Sequence, residues 1–141
     1  MASEMAYAGD VDPLGTWQAL SDDPGAVLVD VRTDAEWRFV GLPDLSPLGK
    51  QTALVTWQIY PDMGLNPGFV EQVRAAGVTE VQSVYLICRS GQRSRDAAIA
   101  LTAAGFARCH NVAEGFEGPL DAEGHRAVAG WKCRGLPWRQ R

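Results

Sequence analysis

The chain has 141 residues, 46% of them hydrophobic and 21% charged, with a formal net charge of -4 and a pI near 5.1. That length and apolar content suffice to close one core, so a single domain over 1–141 is expected. The acidic balance offers nucleic acid no broad basic face. No run of about 18 apolar residues exists to span a membrane, and Met1 to Asp10 has no basic residue and no apolar stretch, so a cytoplasmic protein is expected.

Asp12-Pro13 places a capping side chain before a proline at the first helical position, and Leu14, Trp17, Ala19 and Leu20 give a short amphipathic helix ending near Ser21. Ala26 to Val31 is a short apolar run that reads as a strand buried on both faces. Thr33 or Asp34 can cap a brief helix through Glu36, Trp37 and Phe39, broken before Pro43. Leu54 to Trp57 is a second strand candidate. Asn66-Pro67 repeats the cap-plus-proline signal ahead of Phe69, Val70, Val73 and Ala76, with Gly77 closing that helix. Val84 to Ile87 reads as a third strand, Ser94 as the cap of a helix over Asp96 to Ala104, and Ala107 to Val112 as one more strand. From Gly115 to Arg141 no period is sustained, and irregular chain packed through Trp131 and Trp138 is expected. Strands alternating with helices predict a parallel α/β sheet covered on both faces, with ligands gathered at the carboxyl ends of the strands.

Cys88, Cys109 and Cys133 are an odd, sparse set with no Cys-x-x-Cys spacing, which argues against a disulfide scaffold and against a zinc site; no metal and no resident cofactor are expected. Cys88 stands at a predicted strand end and opens the segment Cys88-Arg89-Ser90-Gly91-Gln92-Arg93-Ser94, which leads into an alanine-rich helix. A loop so placed turns successive backbone N–H groups toward one point, and the helix N-terminus adds partial positive charge. Arg89, Arg93 and Arg95 add formal charge, and both effects favour the thiolate, the reactive form of cysteine. The bland alternative is a solvated loop after a buried strand. The coincidence of strand end, glycine, three arginines and capped helix favours a nucleophile. Cys109 reads as inert packing; for Cys133, between Lys132 and Arg134, an exposed, oxidisable or resolving thiol is the lesser alternative to a thiol without a role. His110 and His125 read as structural or surface residues, because an ionised thiolate needs no base.

The loop resembles that of the rhodanese family, commonly Cys-Arg-x-Gly-x-Arg followed by Ser or Thr. The resemblance extends upstream through Leu28 to Arg32, Glu36-Trp37 and Pro43, and downstream through Asn111-Val112, Gly115, Gly130-Trp131 and Gly135 to Pro137. It covers about Val11 to Pro137 and implies a three-layer α/β/α fold with a mostly parallel central sheet. Two positions depart: Val40-Gly41 stands where the family has Gly-His, and Glu114-Gly115 where it has Gly-Gly.

The resemblance implies double displacement, in which Cys88 takes a sulfane sulfur from thiosulfate or a related small donor as a persulfide and passes it to cyanide, a small thiol or a protein thiol. Arg89, Ser90, Gly91, Gln92, Arg93 and Ser94 would bind the substrate. Arg93 is favoured over Arg89 to orient the donor, although either can instead be tied to Asp30 or Glu36. Asp30 and Arg32 would brace the loop, and Trp37 or Trp131 would line the site. Two rivals stand beside this reading. A cysteine phosphatase or arsenate reductase typically spaces its cysteine and arginine by five residues, whereas four intervene here. A non-catalytic partner-binding module or a sulfur relay would share the fold, though a module has no need of the nucleophile.

Overall fold

The computed structural model describes residues 6–59 and 62–140. Five parallel strands form the central sheet: β1 (Gly9–Val11), β2 (Val27–Asp30), β4 (Ala53–Leu54), β7 (Ser83–Ile87) and β8 (Arg108–Val112), in the order β1-β8-β7-β2-β4. The helices are α1 (Pro13–Asp22), α2 (Asp34–Phe39), α3 (Phe69–Ala75) and α4 (Gln92–Ala103). Two small antiparallel pairs complete the fold: β3 (Leu42–Pro43) with β9 (Trp138–Arg139), and β5 (Gln58–Ile59) with β6 (Gly64–Leu65).

The period-two alternation of the central strands divides the core into two faces. Val84, Leu86 and Val29 point to one side, against Phe69 and Val73 of α3 and Ala97, Ala98 and Leu101 of α4. Leu28, Tyr85 and Ile87 point to the other, against Leu20 of α1 and the C-terminal Phe116, Trp131 and Leu136. This is the three-layer α/β/α arrangement expected, with the tail joining the layer that holds α1.

Local signals resolve as follows. Asp12 caps α1, its carboxylate accepting the Gly15 N–H at 2.7 Å. Thr33, rather than Asp34, caps α2 in a reciprocal capping box with Glu36. The Asn66 cap is corrected: Asn66 Oδ1 accepts the Gly68 N–H at 3.0 Å in a turn, and α3 begins one residue later at Phe69. The strand expected over Leu54 to Trp57 is also corrected. It ends at Leu54, after which Val55 and Trp57 still donate to the carbonyls of Asp30 and Val31 while the chain bends into β5. The edge strand β1, paired to β8 from Gly9 opposite His110, has no apolar pattern to announce it. Nor is the tail wholly irregular, since β9 returns to pair with β3.

Candidate active site

Cys88 follows the last residue of β7 and reaches the carboxyl edge of the sheet, where α4 begins. Gly91 is the N-cap of α4 with φ +114°, a backbone conformation that glycine adopts without the penalty an L side chain would meet. In that geometry the Gly91 N–H donates to Cys88 Sγ at 3.2 Å. The first-turn N–H groups of α4, from Gln92 to Ser94, have no acceptor among the described residues, as the N-terminus of a helix leaves them. The loop is thus a preorganised anion cradle around the sulfur of a cysteine that is only 1% exposed.

Ser94 corrects the expectation of a cap. Helix α4 starts two residues before it, and its fully buried hydroxyl lies 3.2 Å from Cys88 Sγ and 2.5 Å from Asn111 Oδ1. Asn111 Nδ2 donates to Asp10 Oδ1 at 3.1 Å, which fixes the amide with its oxygen toward Ser94. A hydroxyl has one proton, so Ser94 either donates to Asn111 and shows Cys88 a lone pair, or rotates to donate to a thiolate.

Arg93 is the arginine tied up internally. Its two terminal nitrogens each lie 2.8 Å from an oxygen of Glu36, with side chains 14% and 19% exposed. Burial works against the charge on Glu36, but hydrogen bonds and charge from Arg93, with the Thr33 N–H, outweigh it and hold the carboxyl below its ordinary range. Arg89 is exposed and makes no ion pair among the described residues. Arg95 points away, its guanidinium 5.9 Å from the Tyr7 ring centre.

Asp30 and Arg32 form a fully buried ion pair at 2.7 Å beneath the site. Asp30 lies in register with Ile87, the residue before Cys88. Arg32 also donates to the Gly41 carbonyl at 2.7 Å and lies over the Phe116 ring, 4.3 Å from its centre. It thereby ties β2 to one of the two departing positions, Gly41, and through Phe116 to the tail. Gly41 has no room for a side chain: a Cβ there would stand 2.8 Å from the Trp138 ring, so tryptophan fills the space beside this position. Glu114 sits at φ +73°, the conformation in which glycine is at ease, and its carboxylate compensates by accepting from the Gly130 N–H at 2.9 Å and from Arg134 at 3.0 Å.

A cleft of about 510 Å³ opens onto Cys88. Its walls bring together Arg89, Ser90, Gln92 and Arg93 from the loop and Glu36 and Val40 from α2 and its end, with Gln58 and Met63 from the β5–β6 region and Glu117 and Arg126 from the tail. Gly91 and Ser94 lie behind the sulfur, on the loop side. Trp37 and Trp131, expected to line the site, do not: both are buried in the core. Glu117 and Arg126 escaped the sequence reading because they fall in a stretch without periodicity. His125 is on an exposed turn, where Asp121, Glu123 and His125 bring ligand-type atoms within 4.8 Å of one another.

The rhodanese-like domain family model matches residues 15–121. A crystal structure of Rv0390 from M. tuberculosis is 51% identical, covers 96% of this chain and 99% of its own, and superposes with a TM-score of 0.88. The uncharacterized protein RC0915 of Rickettsia conorii is 34% identical over 87% of this chain and 90% of its own length. The polysulfide-sulfur transferase of Wolinella succinogenes shares the fold at 19% identity, over 99% of this chain and 83% of its own, with a TM-score of 0.64. With the family's loop at the carboxyl edge of such a sheet and most of its length matched, this chain belongs to the rhodanese-like domain family.

Proposed function

We propose that this protein is a sulfurtransferase that carries a sulfane sulfur on Cys88 as a persulfide, taking it from thiosulfate or a related donor and passing it to cyanide or a thiol. The observation that carries this reading is a single nucleophilic sulfur at the floor of a cleft, met by the Gly91 N–H and the Ser94 hydroxyl, each at 3.2 Å, at the N-terminus of α4. In the first half-reaction the Cys88 thiolate attacks the outer sulfur of thiosulfate. The new S–S bond forms on Cys88 as the donor S–S bond breaks, and its electron pair leaves with sulfite. The terminal sulfur of the persulfide keeps one negative charge, which the unengaged first-turn N–H groups stabilise without reorganising. In the second half-reaction cyanide attacks that terminal sulfur, thiocyanate leaves, and the thiolate is restored. No metal, cofactor, nucleic acid or membrane takes part in this scheme; the partners are the small donor and the acceptor.

The phosphatase reading loses ground to the same geometry. Arg93, which would have to clamp a phosphate, is bound bidentately to Glu36. We also infer a cytoplasmic setting from three free cysteines, one of them exposed, which suit a reducing compartment. Steady-state kinetics with thiosulfate and cyanide test the reaction: thiocyanate formation with parallel double-reciprocal lines is expected. Absence of thiocyanate across donors and acceptors would overturn the assignment.

A further inference from the structure

We propose that Arg126, from the C-terminal segment, is the specificity-determining residue of the Cys88 cleft and binds the oxyanion group of an anionic sulfur donor. The inference rests on the sulfur-transfer reading and names the substrate class it serves. The sulfonate-type oxygens of a donor such as thiosulfate need hydrogen-bond donors in a site whose nucleophile is itself an anion, so the cleft must offer them a cationic N–H fork. Arg93 is neutralised by Glu36, and Arg89 is exposed and makes no ion pair among the described residues. Arg126 is different on three counts.

First, its position is fixed relative to the loop. Its Nη1 donates to the Gly118 carbonyl at 2.7 Å, while the N–H groups of Gly118 and Glu117 donate to the Arg89 carbonyl at 3.1 and 2.9 Å and that of Phe116 to the Cys88 carbonyl at 2.8 Å. The segment carrying the anchor is thus zipped onto the start of the loop. Second, the rest of its guanidinium is unengaged: Nε and Nη2 have no acceptor, and Arg126 makes no ion pair, among the described residues. These are the donors that a planar fork offers to two oxygens of one anion. Third, Arg126 lines both the Cys88 cleft and the neighbouring hollow beside Ser90, Gly91 and Gln92, so it stands at the rim of the loop rather than remote from it.

Charge supports the same conclusion. Leaving Cys88 aside, three arginines against Glu36 and Glu117 give the cleft an excess positive charge on a protein whose net charge is -4. Without Arg126 that excess vanishes. The family match ends at residue 121, so this cation comes from outside the matched segment, and donor choice is set by the tail.

The test uses the full chain as wild type, Arg126→Gln and Arg126→Lys. Loading of Cys88 is followed with thiosulfate and with inorganic polysulfide, which has no oxyanion group, and Cys88 alkylation is mapped with iodoacetate and with uncharged iodoacetamide. In Arg126→Gln, KM for thiosulfate should rise about tenfold with kcat little changed, as loss of a charge-assisted contact at a partly exposed site implies. Polysulfide loading should stay within about twofold, the iodoacetate-to-iodoacetamide rate ratio should fall severalfold, and Arg126→Lys should recover part of both. An unchanged thiosulfate KM and alkylation ratio, or an equal loss with both donors, overturns the role of Arg126 and leaves sulfur transfer standing. Wild type that loads from polysulfide but not from thiosulfate also overturns it. Wild type that loads from neither overturns the sulfur-transfer reading itself.

Discussion

Cys88 and Cys109 are the same residue at nearly the same depth, 1% and 0% exposed, one just past the end of β7 and the other within its neighbour β8, yet their surroundings are opposite. Cys109 lies within β8, its sulfur 4.0 Å from the Phe106 carbonyl, and burial pushes its thiol up to about 11. Cys88 lies one residue past β7, where the sheet gives way to a loop that turns an N–H and a hydroxyl onto the sulfur and opens a cleft beside it. On the proposed function, burial does not decide which of the two thiols reacts; donors do, and they are available where a strand ends and a helix begins. Cys133 marks the third case: it is exposed, and its thiol donates to the Ala127 carbonyl at 3.1 Å, with no cradle around it.

The contrast can be broken from beneath the site. Asp30→Asn leaves Arg32 as an uncompensated charge in a fully buried pair, and a loss of about 3–5 kcal/mol of stability is expected by chemical denaturation, together with loss of sulfur loading. An effect under about 1 kcal/mol would show that the pair does not brace the loop. Cys109→Ser tests the other half: it puts a hydroxyl into an apolar setting, costing about 1–3 kcal/mol, but should leave sulfur transfer intact. Activity lost in step with Cys109 alkylation would contradict the assignment of that thiol as inert.

Glu36→Gln sharpens the comparison by loosening Arg93, with an expected cost of about 1–2 kcal/mol for a pair that retains some exposure. Because the carboxyl of Glu36 is held below its ordinary 4.5, its contribution is present above that value and lost as pH falls through the folded one. Wild type and Glu36→Gln should therefore converge in stability as pH falls from neutral to below the folded-state titration of Glu36, and a constant gap would refute the ion pair as its source. The smallest change is Ser94→Ala, which makes the surroundings of Cys88 more like those of Cys109. Iodoacetamide labelling of Cys88 should slow about tenfold with the fold retained. Unchanged labelling would assign Ser94 to Asn111 alone.

Much of this was legible in the sequence, and the reasons are physical. The apolar runs before Asp30 and Cys88 could hardly be anything but buried parallel strands, because both of their faces are covered. The loop declared itself through local chemistry, with its cysteine, glycine and arginines contiguous. What escaped depends on tertiary closure. Gly9 to Val11 forms a strand only because β8 offers an open edge. Ser94 carries the signature of a cap, yet Gly91 at positive φ starts the helix earlier and turns the hydroxyl inward. Arg126 joins the cleft because three N–H groups of Phe116, Glu117 and Gly118 bind the loop carbonyls, a long-range pairing without periodicity. The missing histidine of the family pattern likewise becomes intelligible only once Trp138 is seen against Gly41.

The most direct test is intact-protein mass spectrometry before and after incubation with thiosulfate, with peptide mapping of all three cysteines and a parallel run on Cys88→Ser. The account predicts that the wild type gains one sulfur atom, located on Cys88 and removed by cyanide, while Cys88→Ser gains none. A gain that persists in Cys88→Ser, or maps to Cys109 or Cys133, would contradict it.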